Sequence, residues 1–217
     1  MSGVPAYSAL VEPRNLAGAG EPSRDVADVP AAFRAALESL AAVRARPEIE
    51  LEHIPAPQRL APFAHAIGAN IADPEDPDDD IASARFIVLF DPEGHEAWHG
   101  TMRCVGYLSA ATDEQLVDDA MFSEVAWSWL TDALGESGAG HHTVGGTVTR
   151  TASTRFGELA GPEHSVDVEM RASWTAEDTD LGRHFQAWLE VLGNAAGLPP
   201  PGVRLLGPSD RVGSETL

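Results

Sequence analysis

The stretch Val166-Asp167-Val168-Glu169-Met170-Arg171-Ala172-Ser173-Trp174 alternates apolar and polar residues without a break. Successive side chains on a strand point to opposite faces, so this pattern is a strand with one face in the core and one in water. The preceding segment has the same period. Val148, Ala152 and Phe156 alternate with Thr147, Thr149, Thr151, Ser153 and Arg155. Residues 147–156 and 166–174 therefore predict an antiparallel strand pair, linked by a loop containing Gly161-Pro162. Its wet face carries hydroxyls, including those of Thr149 and Thr151, together with Arg155, Glu169 and Arg171. Arg103 joins them as a candidate from a neighbouring strand.

Working outward, residues 85–90 (Arg-Phe-Ile-Val-Leu-Phe) are nearly all apolar, which marks a central strand. Asp91-Pro92-Glu93-Gly94 has the composition of a turn, and residues 97–110 return as the next strand. Residues 60–71 alternate at Phe63, His65, Ile67, Ala69 and Ile71. The alanines there would also suit a helix, but Pro62 and Gly68 favour a strand. Residues 47–52 alternate as a short edge strand. Helical stripes cover residues 25–46, ended by Pro47, residues 122–138, closed by glycine, and residues 181–196, ending at Gly197. The expected fold is α+β in two layers. It has a mostly antiparallel five-stranded sheet with helices on one face, in the order α-β-β-β-α-β-β-α. Residues 25–200 form a single domain, between a disordered tail at 1–24 and a second tail at 201–217. A weak echo links Arg85-Phe86, Met102-Arg103 and Trp129-Leu130 to Arg155-Phe156, Met170-Arg171 and Trp188-Leu189, as in a duplicated strand-strand-helix unit.

Charge excludes several chemistries. The net charge is -20, from 34 acids against 14 bases, and every base is arginine. Without lysine there is no Schiff base and no P-loop lysine. So acidic a chain lacks the basic face that direct nucleic-acid binding needs. No run of apolar residues is long enough to span a membrane. Residues 1–16 lack the basic start and apolar core of a signal peptide, so the cytoplasm is the expected compartment. Cys104 is the lone cysteine, which rules out a disulfide framework and a cysteine zinc site. On the face of Met102 and Leu108 it reads as a buried thiol.

His95-Glu96-Ala97-Trp98-His99 matches the H-E-x-x-H of zinc proteases, which sits on a helix. Here it follows turn residues, and Gly94 and Gly100 bracket it. On a strand the two imidazoles stand about 13 Å apart and cannot share a zinc. Trp98 is then expected on the core side with Met102 and Cys104. Asp76, Asp78 and Asp80 have calcium-loop spacing, but Ile81 and Ile87 occupy the glycine and glutamate positions. Adjacent His141 and His142 point to opposite faces of a strand. Neither G-x-S-x-G nor G-x-G-x-x-G occurs. No metal site and no cofactor are expected.

The middle helix is apolar over more than one face, through Phe122, Val125, Ala126, Trp129, Leu130, Ala133 and Leu134, widened by Trp127. Such a helix is covered on two sides, by another layer of its own chain or by a second subunit. Phe122, Trp127, Leu130 and Leu134 are the candidate interface of a homodimer.

Several stretches together carry a resemblance. They are residues 46–51 (Arg-Pro-Glu-Ile-Glu-Leu), 54–62 (Ile-Pro-Ala-Pro-Gln-Arg-Leu-Ala-Pro), 124–131 (Glu-Val-Ala-Trp-Ser-Trp-Leu-Thr), 145–150 (Gly-Gly-Thr-Val-Thr-Arg), 171–175 (Arg-Ala-Ser-Trp-Thr) and 195–200 (Ala-Ala-Gly-Leu-Pro-Pro). Over roughly residues 28–205 the chain resembles the actinobacterial domain-of-unknown-function family 3000. That family has no assigned activity, so the resemblance implies no catalytic residue. The element order is also similar to the type III secretion chaperone-like fold, whose members are small, acidic, often dimeric and bind other proteins; this second likeness is topological. The expected function is a non-catalytic protein-binding or regulatory module with a protein partner. The alternative is an enzyme or small-molecule binder with an Arg/carboxylate site on the sheet, which a closed pocket lined by Arg103, Arg155, Arg171 and Glu169 would favour.

Overall fold

The computed structural model describes residues 29–74, 76, 79–112, 119–158 and 164–200. Both expected tails, and Asp78 of the calcium-like spacing, lie outside them. Helix α1 (Ala31–Ala41) precedes strands β1 (Glu50–His53), β2 (Phe63–Ala72), β3 (Asp80–His95) and β4 (Gly100–Thr112). Helix α2 (Phe122–Glu136), strands β5 (His141–Thr154) and β6 (His164–Ala176) and helix α3 (Leu181–Ala195) complete the order. The strands form one six-stranded sheet, β1-β2-β3-β4-β6-β5, with every neighbouring pair antiparallel. The fold is therefore α+β as the alternation demanded, with one strand more than the expected five. The sixth is the short edge segment, in which Glu50 to His53 pair with Asn70 to Ile67.

All three helices among the described residues pack on one face of the sheet. Alternation explains which face. Ala82, Ala84, Phe86, Val88 and Phe90 on β3, Met102, Cys104, Leu108 and Ala110 on β4, and Val168, Met170, Ala172 and Trp174 on β6 are all buried. The residues between them face the other way. Helix α3 lies over the sheet centre. Phe185 meets Phe86 at 5.2 Å between ring centroids, and Trp188 meets Trp174 at 6.1 Å. Helix α1 covers the β2–β3 end, where Phe33 stands 5.8 Å from Phe63 and 5.7 Å from Phe90. It is shorter than the expected 25–46, although Val29 and Val43 beyond its ends are also buried.

Two glycines set the spacing between layers. A Cβ at Gly106 would lie 2.6 Å from two carbons of the Trp188 indole, which is itself fully buried. At Gly146 it would meet the Trp127 ring at 2.8 Å and collide with the Arg171 carbonyl. Each glycine lets an indole lie directly on the sheet backbone.

The strand-strand-helix order recurs, but the echoed residues do not coincide: Arg85-Phe86 lies within β3 with Phe86 buried, whereas Arg155-Phe156 lies past the end of β5 with Phe156 exposed. Units β3-β4-α2 and β5-β6-α3 sit side by side in mirrored order, β3-β4 against β6-β5. Each helix crosses to the other unit's strands: α2 packs on β5, and α3 packs on β3 and β4.

Helix α2 buries most of its wide stripe inside the chain, but Val125 is 46% exposed and Trp129 half-buried. Phe122, Leu130 and Leu134 are buried against α3 and the sheet, and half-buried Trp127 rests on Gly146. Another layer of the same chain covers these four residues and leaves Val125 open. At the far end of β5 the alternation overreaches. Ala152 is exposed, and Phe156, expected on the core side, lies past the strand with 78% of its surface in solvent.

Two core histidines are kept neutral by burial. His184 accepts a hydrogen bond at Nδ1 from Trp174 Nε1 at 2.9 Å, so its own proton sits on Nε2, which has no partner. His65 on β2 is also buried with Nε2 unpartnered, and its ring is 6.0 Å from that of His53. Burial lowers both pKa values to about 4, with nearby His53 adding to the effect at His65. The unfolded chain takes up these protons near pH 6.5. Between the two values the unfolded state binds more protons, so stability is fully present above about pH 6.5 and is lost as pH falls.

Two outcomes are expected. Gly106→Ala should lower stability by about 1–3 kcal/mol, because neither the indole nor the strand has room to move; urea denaturation measures this. Lowering the pH from 7.5 to 5 should cost about 2 kcal/mol for each buried histidine. The pH dependence of the unfolding midpoint checks the sign, and it should flatten in a His65→Gln/His184→Gln variant.

Candidate functional site on the open sheet face

The face opposite the helices is organised in rows, because antiparallel pairing places the polar residues of adjacent strands side by side. One row runs Arg85 on β3, Tyr107 on β4, Arg171 on β6 and Thr147 on β5. Towards the other edge it passes Gly68 and reaches Glu52, whose side chain lies across Gly68. The next row holds Glu50, Asn70, Ser83, Ser109, Glu169 and Thr149. Beyond it, Asp167 pairs with Thr151.

The centre of the first row is accessible. The Arg171 guanidinium carbon sits 5.3 Å from the Tyr107 ring centroid, a cation–π geometry. Arg171 also pairs with Glu169 at 3.3 Å, and its side chain is 68% exposed. So exposed a pair is weak and easily exchanged for another partner. Arg85 is exposed and has no hydrogen bond or ion pair among the described residues.

Arg103 has a different role. Its Nη1 donates to the Thr143 carbonyl at 2.8 Å and to Thr175 Oγ1 at 3.0 Å, and its Nη2 donates to Ser173 Oγ at 2.7 Å. Thr175, fully buried, in turn donates to the Trp98 carbonyl at 2.6 Å. This network ties together the β3–β4 turn, the start of β5 and the end of β6. Arg103 is an internal strut.

The sequence candidates thus divide. Thr149, Glu169 and Arg171 stand together, with Thr151 one row away. Arg103 lies in the row of Thr175, and Arg155 just past the pairing of Thr154 with His164. Thr175 and His164 are at opposite ends of β6, about 36 Å apart. Arg103, Arg155, Arg171 and Glu169 do not converge on one pocket. Arg85 and Tyr107 were missed. Arg85 opens an apolar run and reads as part of it, although Tyr107 follows Arg103 at a same-face spacing of four.

The H-E-x-x-H segment forms a hairpin turn. Strand β3 continues through Asp91-Pro92-Glu93-Gly94 to His95, which pairs with Gly100 after a register shift. The chain reverses in a 3-10 turn at Glu96–Trp98, and His99 takes a left-handed conformation at φ 55°. His95 Nδ1 accepts from the Ala97 amide at 3.2 Å, and its ring stacks on Trp98 at 4.5 Å. Trp98 is therefore a half-buried turn residue, not a core neighbour of Met102 and Cys104. The expected turn lies four residues too early because Pro92 and Gly94 are carried in an irregular stretch of β3. His141 bonds the Ala139 carbonyl and His142 the Thr143 hydroxyl, at 2.8 and 2.9 Å. Among the described residues no three His, Cys, Asp or Glu side chains come together as metal ligands. Cys104 is fully buried, and burial pushes its thiol pKa far up, so it is inert as a nucleophile.

On the helix side, an open groove of about 570 Å³ runs between α2 and α3, lined mainly by Ile81, Ala111, Phe122, Val125, Trp129 and Ala195. No described helix is long and apolar enough to cross a membrane.

The family model described as a protein of unknown function (DUF3000) matches residues 29–204. No curated protein and no solved structure matches the chain.

Arg103→Ala should cost about 1–3 kcal/mol by removing three donors from a partly buried network. Hydrogen exchange should quicken first in residues 95–100 and 141–145. Equal protection there in variant and parent would remove the strut role.

Proposed function

The chain belongs to the DUF3000 family, whose description names no activity, and from the geometry of its uncovered sheet face we propose that it is a protein-binding module. The observation that carries this reading is the row Arg85–Tyr107–Arg171, set in the middle of a broad sheet face that no described helix covers. Arginine and tyrosine are the residues that most often dominate binding energy at protein interfaces. The arginine forks can take carboxylates or carbonyls from a partner while Tyr107 offers a flat apolar surface. Serine and threonine hydroxyls around the row add adaptable hydrogen bonds.

The scattered positions of Arg103 and Arg155 speak for docking over a small-molecule site. A catalytic centre needs its groups within a few ångströms of one reacting atom. A chaperone-like or adaptor role fits a non-catalytic binding face on an acidic chain, and a cytoplasmic setting fits its lone buried thiol. The partner is a protein that brings carboxylates to the arginine row; its encounter is short-ranged, because the chain's net charge is -20.

The test compares tagged wild-type protein with an Arg85→Ala/Tyr107→Ala/Arg171→Ala variant in affinity purification from the native cell. A protein partner enriched by the wild type should fall on the order of tenfold or more with the variant, while the melting temperature stays within a few degrees. A partner retained equally by both removes the open face from the interface. A stoichiometric small molecule in place of a protein would support the alternative reading.

A further inference from the structure

The two edges of the sheet are built differently. Edge strand β1 has four residues and carries Glu50 and Glu52. A short edge with charges is a standard defence against strand addition. Edge strand β5 has fourteen residues and carries no carboxylate; its protection is a bulge near its start and Arg150. It ends the strand order, and among the described residues all its ladder pairing is with β6. Its pairing runs regularly from Gly145 to Thr154, past a bulge and the left-handed Thr143 at φ 52°. After His141 and His142 the composition is Thr, Val, Gly, Ala and Ser with a single arginine, and neither Lys nor Pro interrupts it. Most of it is exposed, including Val144 at 39%.

Charge singles out the same edge. The chain carries 34 carboxylates, yet none occurs from Gly140 to Phe156, where Arg150 and Arg155 are the charged residues. Two molecules of net charge -20 repel each other over most of their surface. They can approach closely where the carboxylates are missing, and here that place coincides with an open strand edge.

We propose that β5 is a self-association edge: two copies of this chain pair β5 to β5, antiparallel about a two-fold axis, joining their sheets into one. The identity of the occupant follows from closure. An isologous pairing satisfies both open edges with one interface and leaves β1 at each outer end. Head-to-tail pairing of β5 with β1 would grow fibres, and the short acidic β1 opposes it. A foreign strand would satisfy one edge per event. This dimer differs from one through Phe122, Leu130 and Leu134, which are covered within the chain. It adjoins the docking row, which ends on β5 at Thr147 but has its centre on β3, β4 and β6.

The experiment is light scattering with size-exclusion chromatography on the full chain, up to the highest soluble concentration. Two variants are used, Thr147→Glu/Thr149→Glu/Thr151→Glu and the same three positions to Lys. The threonine side chains are exposed, so both variants should keep the native circular dichroism and a cooperative transition. Each should melt a few degrees lower, because the Glu variant faces Glu169 and Asp167 on β6 and the Lys variant faces Arg171. Wild type should dimerise. Each variant alone should associate on the order of tenfold or more weakly, because like charges then face each other across the seam. Mixing the Glu and Lys variants should restore a mixed dimer, a result that misfolding cannot mimic. A wild type that stays monomeric throughout overturns the proposal. So does a dimer that persists unchanged in both folded variants. Stoichiometric co-purification of a foreign peptide protected by β5 in hydrogen exchange would replace the second copy as occupant.

Discussion

The seating of Trp188 on Gly106 fixes the distance between helix α3 and the middle of the sheet. Much else depends on that distance. With the indole flat against the β4 backbone, Phe185 reaches Phe86, Trp174 meets Trp188, and His184 comes within hydrogen-bond reach of the Trp174 indole N–H. A larger residue at Gly106 would lift α3 off the sheet and separate these contacts together. The core also tolerates polar cost: His65 Nε2, His184 Nε2 and Trp188 Nε1 are buried without partners among the described residues. Dense aromatic packing offsets groups that burial alone would penalise.

Concentrating every described helix on one face decides where function can lie. One side of the sheet is filled with apolar side chains, so the chemistry-bearing residues collect on the other. There the pairing register, not the order along the chain, determines neighbours. Arg85, Tyr107 and Arg171 come from three strands and are adjacent because β3, β4 and β6 lie next to one another. Arg103 is on the same face but is consumed in holding the hairpin turn to β5 and β6. Identical residue types on one face thus play a binding and a structural part, and their hydrogen-bond partners tell them apart.

The H-E-x-x-H segment shows how a motif depends on its backbone. Its residue types match a zinc site, but a 3-10 turn and a left-handed His99 give the side chains directions that a helical zinc site does not use. The turn instead uses His95 as a local cap for the Ala97 amide and as a stacking surface for Trp98. The neighbouring glycines already pointed away from a helix. The turn's exact place could not be read, because Pro92 and Gly94 look like turn residues wherever they occur.

By itself the sequence determined the fold class, the long strands, the three helices and the division between wet and buried faces. Those follow from local periodicity, which a strand of period two and a helix of period 3.6 impose on any chain that buries one side. It also determined the acidity, the missing lysine and the carboxylate-free run at β5. What tertiary structure alone decided is adjacency. Strand order and register chose which arginines meet a tyrosine and which are struts. Packing of α3 against α2 chose whether the apolar stripe of α2 faced its own chain. These depend on contacts between residues far apart in sequence, and no local pattern encodes them.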